Sequence, residues 1–153
     1  MQKAIDELEP EDKKWQLPFS GPNAYNETFD AWFRQMGYPV VHVWQSGDKI
    51  MLTQSRYLHS GSEEATKLPE SSFEYWWNIP ISYLDKDNNY KLVWMLAKGV
   101  GGAGGAPLEI EGTLGKDIWI DPEAQTFMRV KYGPPGNSAY SQFKQVCKNS
   151  SGW

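Results

Sequence analysis

The chain has 153 residues, enough for one domain with a core of its own, and its net charge of −4 excludes the basic footprint of a nucleic-acid binder. No apolar run is long enough to cross a bilayer, so no membrane contact is expected of this segment, and the charged first residues do not read as a secretion signal. Fourteen Gly, ten Pro and eight Trp favour turns and flat rigid side chains, hence β structure, while a single Cys147 excludes an internal disulfide framework and leaves the compartment open.

Residues 1–25 read as a helical stub and a loop. Ile5 and Leu8 fall at helical spacing before Pro10, Pro18 and Pro22 interrupt the pattern. The segment from Asn26 to Pro39 predicts a helix, with Asn26 as N-cap and acidic Glu27 and Asp30 in its first turn. Phe29, Trp32, Phe33 and Met36 recur at i, i+3, i+4 and i+7 as one apolar face. Arg34 suits the last turn, Gly37 can take the left-handed position after it, and Pro39 stops the helix.

Beyond Pro39 the period changes to two. "VVHVW" and "KIMLTQSRYL", separated by Gln45–Asp48, predict a hairpin, and a polar loop follows. "FEYWWNIPISYL" alternates from Phe73 to Tyr83, with Pro80 marking an edge or a bulge. "YKLVWML" places Tyr90, Leu92, Trp94 and Leu96 on one face after a turn at Asp85–Asn89. "PLEIEG", "DIWI" and "TFMRVKY" complete about seven short strands, the last with Met128, Val130 and Tyr132 opposed to Arg129 and Lys131. The pattern predicts a mainly β fold, an antiparallel β-sandwich, with a preceding helix and a short C-terminal helix around Tyr140, Phe143, Val146 and Cys147.

One string, Gly99-Val-Gly101-Gly-Ala-Gly104, fits the Gly-x-Gly-x-x-Gly fingerprint of a dinucleotide-binding turn. That fingerprint works at the start of a helix, whose amides hold the pyrophosphate. Here Pro107 and the alternating "LEIE" predict a strand, and two glutamates would repel phosphate. The string therefore reads as a mobile strand-to-strand connection that tolerates shortening.

No catalytic or metal-ligating set emerges. His42 and His59 lack a His-Glu-x-x-His spacing, no Gly-x-Ser-x-Gly elbow occurs, and the acids at Glu63, Glu64 and Asp6–Asp12 read as solvated. Trp77 and Trp94 are in register with apolar faces and read as core. Trp44, Trp76 and Trp119 leave open a carbohydrate- or protein-binding sheet face as the alternative. Asn26 and Asn149 head N-glycosylation triplets.

Four stretches together resemble the β-sandwich third domain of zinc metalloaminopeptidases of the aminopeptidase N type. They are the junction at Trp32, Gln35, Gly37, Tyr38, Pro39 and Val40; the strand at Thr53, Gln54, Arg56, Tyr57 and Leu58; the strand at Trp77, Ile79, Pro80 and Ile81; and the strand at Arg129, Val130 and Tyr132. The chain departs from the family pattern at Thr126, Phe127 and Met128, where a Gly and an aromatic pair are usual, and in its long glycine run. The resemblance implies an immunoglobulin-like sandwich at 40–133, between the end of a catalytic domain (1–39) and the start of a helical domain (134–153). It implies a linking role with no catalytic or metal residues here, and no cofactor in this chain. Zinc and peptide chemistry would belong to a parent's catalytic domain, and that domain and the helical one would be the partners. Its setting would be extracellular or a membrane-anchored ectodomain rather than cytoplasmic.

Overall fold

A computed structural model describes residues 24–58 and 70–135. The expected N-terminal stub, the C-terminal helix and Asn149 lie outside them. Helix α1 (Ala24–Arg34) leads into nine strands: β1 (Pro39–Ser46), β2 (Lys49–Arg56), β3 (Ile79–Leu84), β4 (Tyr90–Met95), β5 (Lys98–Gly99), β6 (Ala103–Gly104), β7 (Leu108–Glu111), β8 (Trp119–Ile120) and β9 (Arg129–Tyr132). Two sheets, ordered β7-β2-β1-β9 and β4-β3-β8, share one core, so the fold is the expected mainly β sandwich. No helix among the described residues is long and apolar enough to cross a membrane.

Alternation builds the core. Val41 and Val43 of β1, Ile50 and Leu52 of β2, and Leu108 and Ile110 of β7 meet Ile79 and Ile81 of β3, Met95 of β4 and Ile120 of β8, with Trp77 fully enclosed. Full burial of each such side chain is worth ~1.5–3 kcal/mol. Met128, Val130 and Tyr132 pack against this cluster, with Arg129 and Lys131 outside, as their alternation predicts. Pro80 lies where β3 has lost its second neighbour, because β8 pairs only with Tyr83 and Leu84. Thr126 Oγ1 donates to the Pro80 carbonyl at 2.8 Å on that side, so no ladder bond is missed for want of an N–H.

Several expectations need correction. Phe73–Trp76 is a turn, not strand: Glu74 and Tyr75 have φ of 53° and 61°, and the Trp76 N–H donates to the Phe73 carbonyl at 3.0 Å. Trp94 is not core. On β4 the buried residue is Met95, with Val93 beside the cluster, so the inward face is the alternate set to Leu92, Trp94 and Leu96. The two sheets are antiparallel as expected except at one edge, where β9 runs parallel to β1, from Val40↔Arg129 to Val43↔Tyr132. Helix α1 begins at Ala24, which puts Asn26 inside the first turn and not at the cap.

The glycine run is not a loose tether. Strand β7 does follow it, but residues 96–106 coil tightly. The Gly101 N–H donates to the Ala106 carbonyl at 2.8 Å, and the Gly101 carbonyl accepts the Gln54 N–H at 3.1 Å. A Cβ at Gly102 would collide with the Leu96 and Ala97 carbonyls, and one at Gly105 with the Gly99 carbonyl. Close backbone approach, not flexibility, is what the glycines supply.

Candidate functional site: the helix–sandwich junction

Residues of the first three motifs lie where α1 meets the sandwich. Gln35 is buried at 8% exposure; its Nε2 donates to the Trp76 carbonyl at 3.1 Å, and its Oε1 accepts from the Tyr75 N–H and Ser71 Oγ. Gln54 does the same one layer deeper. Its Oε1 accepts the Trp77 N–H at 3.0 Å and its Nε2 donates to the Trp77 carbonyl at 2.9 Å. The turn before β3 has no ladder partner for these backbone groups, so two glutamine amides serve as one. Trp32 packs tilted on Trp77, with ring centroids 6.1 Å apart, and donates to the Asn78 carbonyl. Asn78 in turn donates to Thr28 Oγ1 and accepts the Ala97 N–H.

Gly37, at φ 94°, turns the chain from α1 into fully buried Pro39, and a Cβ there would press on the Arg56 side chain. The Arg56 guanidinium lies 3.8 Å from the Tyr75 ring centroid, and that of Arg129 lies 4.6 Å from Tyr57, which stacks on Tyr38. Cations over aromatic faces contribute ~0.5–2 kcal/mol each. Trp32, Gln35, Gly37, Pro39, Arg56 and Trp77 thus belong to one junction, with Gln54 and Pro80 bordering it. Arg129 reaches it through Tyr57, whereas Val130 and Tyr132 lie further along β9 against the core.

Helix α1 faces the sandwich with its less apolar side. Thr28 and Ala31, each 3% exposed, turn inward with Gln35 and part of Trp32. Phe29, Phe33 and Met36 are 53%, 84% and 62% exposed. Only Trp32 of the expected apolar face packs as expected. Phe127, also exposed, sets its edge against Trp32 and Tyr38. Between Phe29, Phe33, Pro80, Trp94 and Phe127 runs an apolar groove of about 370 Å³. Asn26 is exposed on α1.

The described residues do not fit a zinc centre, for no group of three or more His, Cys, Asp or Glu is placed to hold a metal ion. His42 is buried, its Nε2 is 2.8 Å from Ser55 Oγ, and Lys131 is its neighbour across the β1–β9 pair. Periodicity could not have found the inverted helix. The signal lay in the polar pair Thr28 and Gln35, spaced seven residues apart on the side that is buried.

What the fold and junction define is a β-sandwich module fastened to one helix, with an apolar surface left over. Over 106 residues the chain is 33% identical to the glutamyl aminopeptidase of Bos taurus and 37% identical to that of Rattus norvegicus, covering 69% of this chain in each case. Human endoplasmic reticulum aminopeptidase 2 matches at 32% over 74 residues, 48% of this chain and 8% of that protein. The chain spans about 10% of the length of the glutamyl aminopeptidases. No family model matches it. With the four motifs in order, the chain belongs to the aminopeptidase family as a segment of it.

Proposed function

We propose that this chain is a non-catalytic linking domain of an aminopeptidase-like parent, holding a preceding catalytic domain and a following helical domain at a fixed spacing. The supporting observation is the inverted helix. Burying Thr28 and Gln35 while exposing Phe29, Phe33 and Met36 makes sense where a second body covers the outer face. The groove beside Phe127 extends that face onto the sandwich. Zinc and removal of N-terminal residues would then belong to the parent's catalytic domain. The endoplasmic reticulum in one relative's name supports a non-cytoplasmic setting.

The test compares Phe29→Ser/Phe33→Ser in this chain and in a parent-length protein. The isolated chain should unfold at an unchanged temperature. The parent should lose cooperative unfolding between domains and part of its turnover of an aminoacyl fluorogenic substrate. An unaltered parent would refute the docking role. Stoichiometric zinc with turnover in the 153-residue chain itself would refute the non-catalytic role.

A further inference from the structure

We propose that His42 is an acid-sensitive latch on β9, so that protonating its imidazole loosens the parallel β1–β9 pair that ends the larger sheet. Among the described residues, strand β9 is an edge strand whose only ladder partner is β1, through four register pairs from Val40↔Arg129 to Val43↔Tyr132. Beyond them the Gly133 N–H donates to the Val43 carbonyl at 2.8 Å. His42 stands in the middle of this seam, 6% exposed, on the face that carries Arg129 and Lys131. Lys131 is its direct cross-strand partner, and Arg129 is two register pairs away on the same face.

From β2, the facing groups are neutral: Thr53 is the register partner, and Ser55 Oγ lies 2.8 Å from Nε2. Glu109 and Glu111 of β7 share the sheet face but lie two strands off, and Glu109 is ion-paired with Lys49. A proton on His42 therefore makes a buried cation beside two others, opposed among these neighbours only by the neutral hydroxyls of Thr53 and Ser55 and by the Gly133 backbone. Like charges directly opposite across a pair are destabilising.

The chemistry of the ring agrees with the geometry. Burial first, and then Lys131, depress the His42 pKa below its ordinary 6.5, while the Gly133 backbone partly offsets them. The detached or unfolded strand consequently binds the proton more readily than the docked one. Docking is fully favoured above the ordinary pKa and weakens as pH falls through and below it. This latch stands on the sheet alone and does not depend on the linking reading.

The experiment is amide hydrogen exchange on the 153-residue chain at about pH 7 and about pH 5, normalised for intrinsic exchange. The expected result is a several-fold loss of protection at Val130–Tyr132 at the lower pH, with the β3–β4 amides unchanged. His42→Gln should abolish the loss. Lys131→Met, which leaves His42 in place, should reduce it and carries the test if the first variant does not fold. Unchanged β9 protection in the natural chain overturns the latch, as does an equal loss in either folded variant, or a loss spread evenly over both sheets.

Discussion

Replacing Gln54 by Leu removes one side chain's bonds to the backbone at the centre of the sandwich while roughly keeping its volume. Gln54 is 3% exposed and satisfies both the N–H and the carbonyl of Trp77, the largest fully buried residue. Its Nε2 also lies 3.4 Å from the Leu96 carbonyl. Leu can make none of these bonds, and Trp77 is fully buried. Each backbone group stranded in this way costs ~1–3 kcal/mol, so the pair should cost about 4 kcal/mol. With a urea m-value of ~2 kcal/mol/M, the midpoint of a tryptophan-fluorescence melt should fall by roughly 2 M. Gln54→Glu keeps the acceptor and loses the donor, placing a carboxylate in the core. It should therefore recover part of its loss in acid, where the neutral group can donate to the Trp77 carbonyl. A Gln54→Leu midpoint within about 0.3 M of the natural chain, about 0.6 kcal/mol at that m-value, would refute the reasoning.

Gly102→Ala and Gly105→Ala should each destabilise by ~1–3 kcal/mol, because the new methyl groups meet carbonyls of the same coil. Thermal melts check this, and the same packing predicts that deleting residues 101–105 unfolds the domain. Trp77→Ala should cost ~3–5 kcal/mol by cavity formation. Trp77→Phe should cost under about 2 kcal/mol, because the lost volume is offset by removing an indole N–H that has no partner among the described residues; a comparison of urea midpoints separates the two. Asp85 accepts the N–H groups of Asn89 and Asp87 at 2.9 Å each, and these bonds hold its carboxyl below the usual 3.8. Its contribution is present above that value and lost as pH falls below it, so Asp85→Asn should flatten the acid end of the stability profile in a pH-dependent melt.

Most strands were legible because one face of each is buried and the other is not. The β7 pair Leu108/Ile110 against Glu109/Glu111 and the β9 set are cases where period two carries the whole answer. It fails on β4, where Leu92 and Trp94 are as apolar as Val93 and Met95 and pattern cannot choose between faces. It fails again at Phe73–Trp76. There alternation continues through a turn, because what fixes the backbone is a glutamine 40 residues away accepting the Tyr75 N–H. The glycine run misled for a related reason: composition records that side chains are absent, not which backbone fills the space. The motif positions Gln35, Gln54 and Arg56 were visible as a resemblance, but their work as backbone staples and ring clamps is long-range and has no local signature.

The inverted helix has a physical cause of its own. Turned to bury Phe29, Phe33 and Met36, α1 and the bend that follows it at 35–37 would gain apolar contact at the sandwich but withdraw Gln35 from Trp76 and Tyr75 and Thr28 from Asn78. The Trp76 carbonyl and Tyr75 N–H lie in a turn without a ladder, the Asn78 amide is a side-chain donor, and each group left unpaired costs ~1–3 kcal/mol. The turn before β3 thus selects the polar side of the helix, and the apolar side is left for something else. On this account Gln35→Leu is a test by contradiction. A rule based on hydrophobicity alone expects the more apolar buried face to stabilise the chain. The hydrogen-bond account expects a loss of about 2–4 kcal/mol, from the stranded Trp76 carbonyl and Tyr75 N–H. Urea melts of Gln35→Leu beside the natural chain decide between them, and a variant as stable as the parent sequence would mean that the junction's polar groups do not orient the helix.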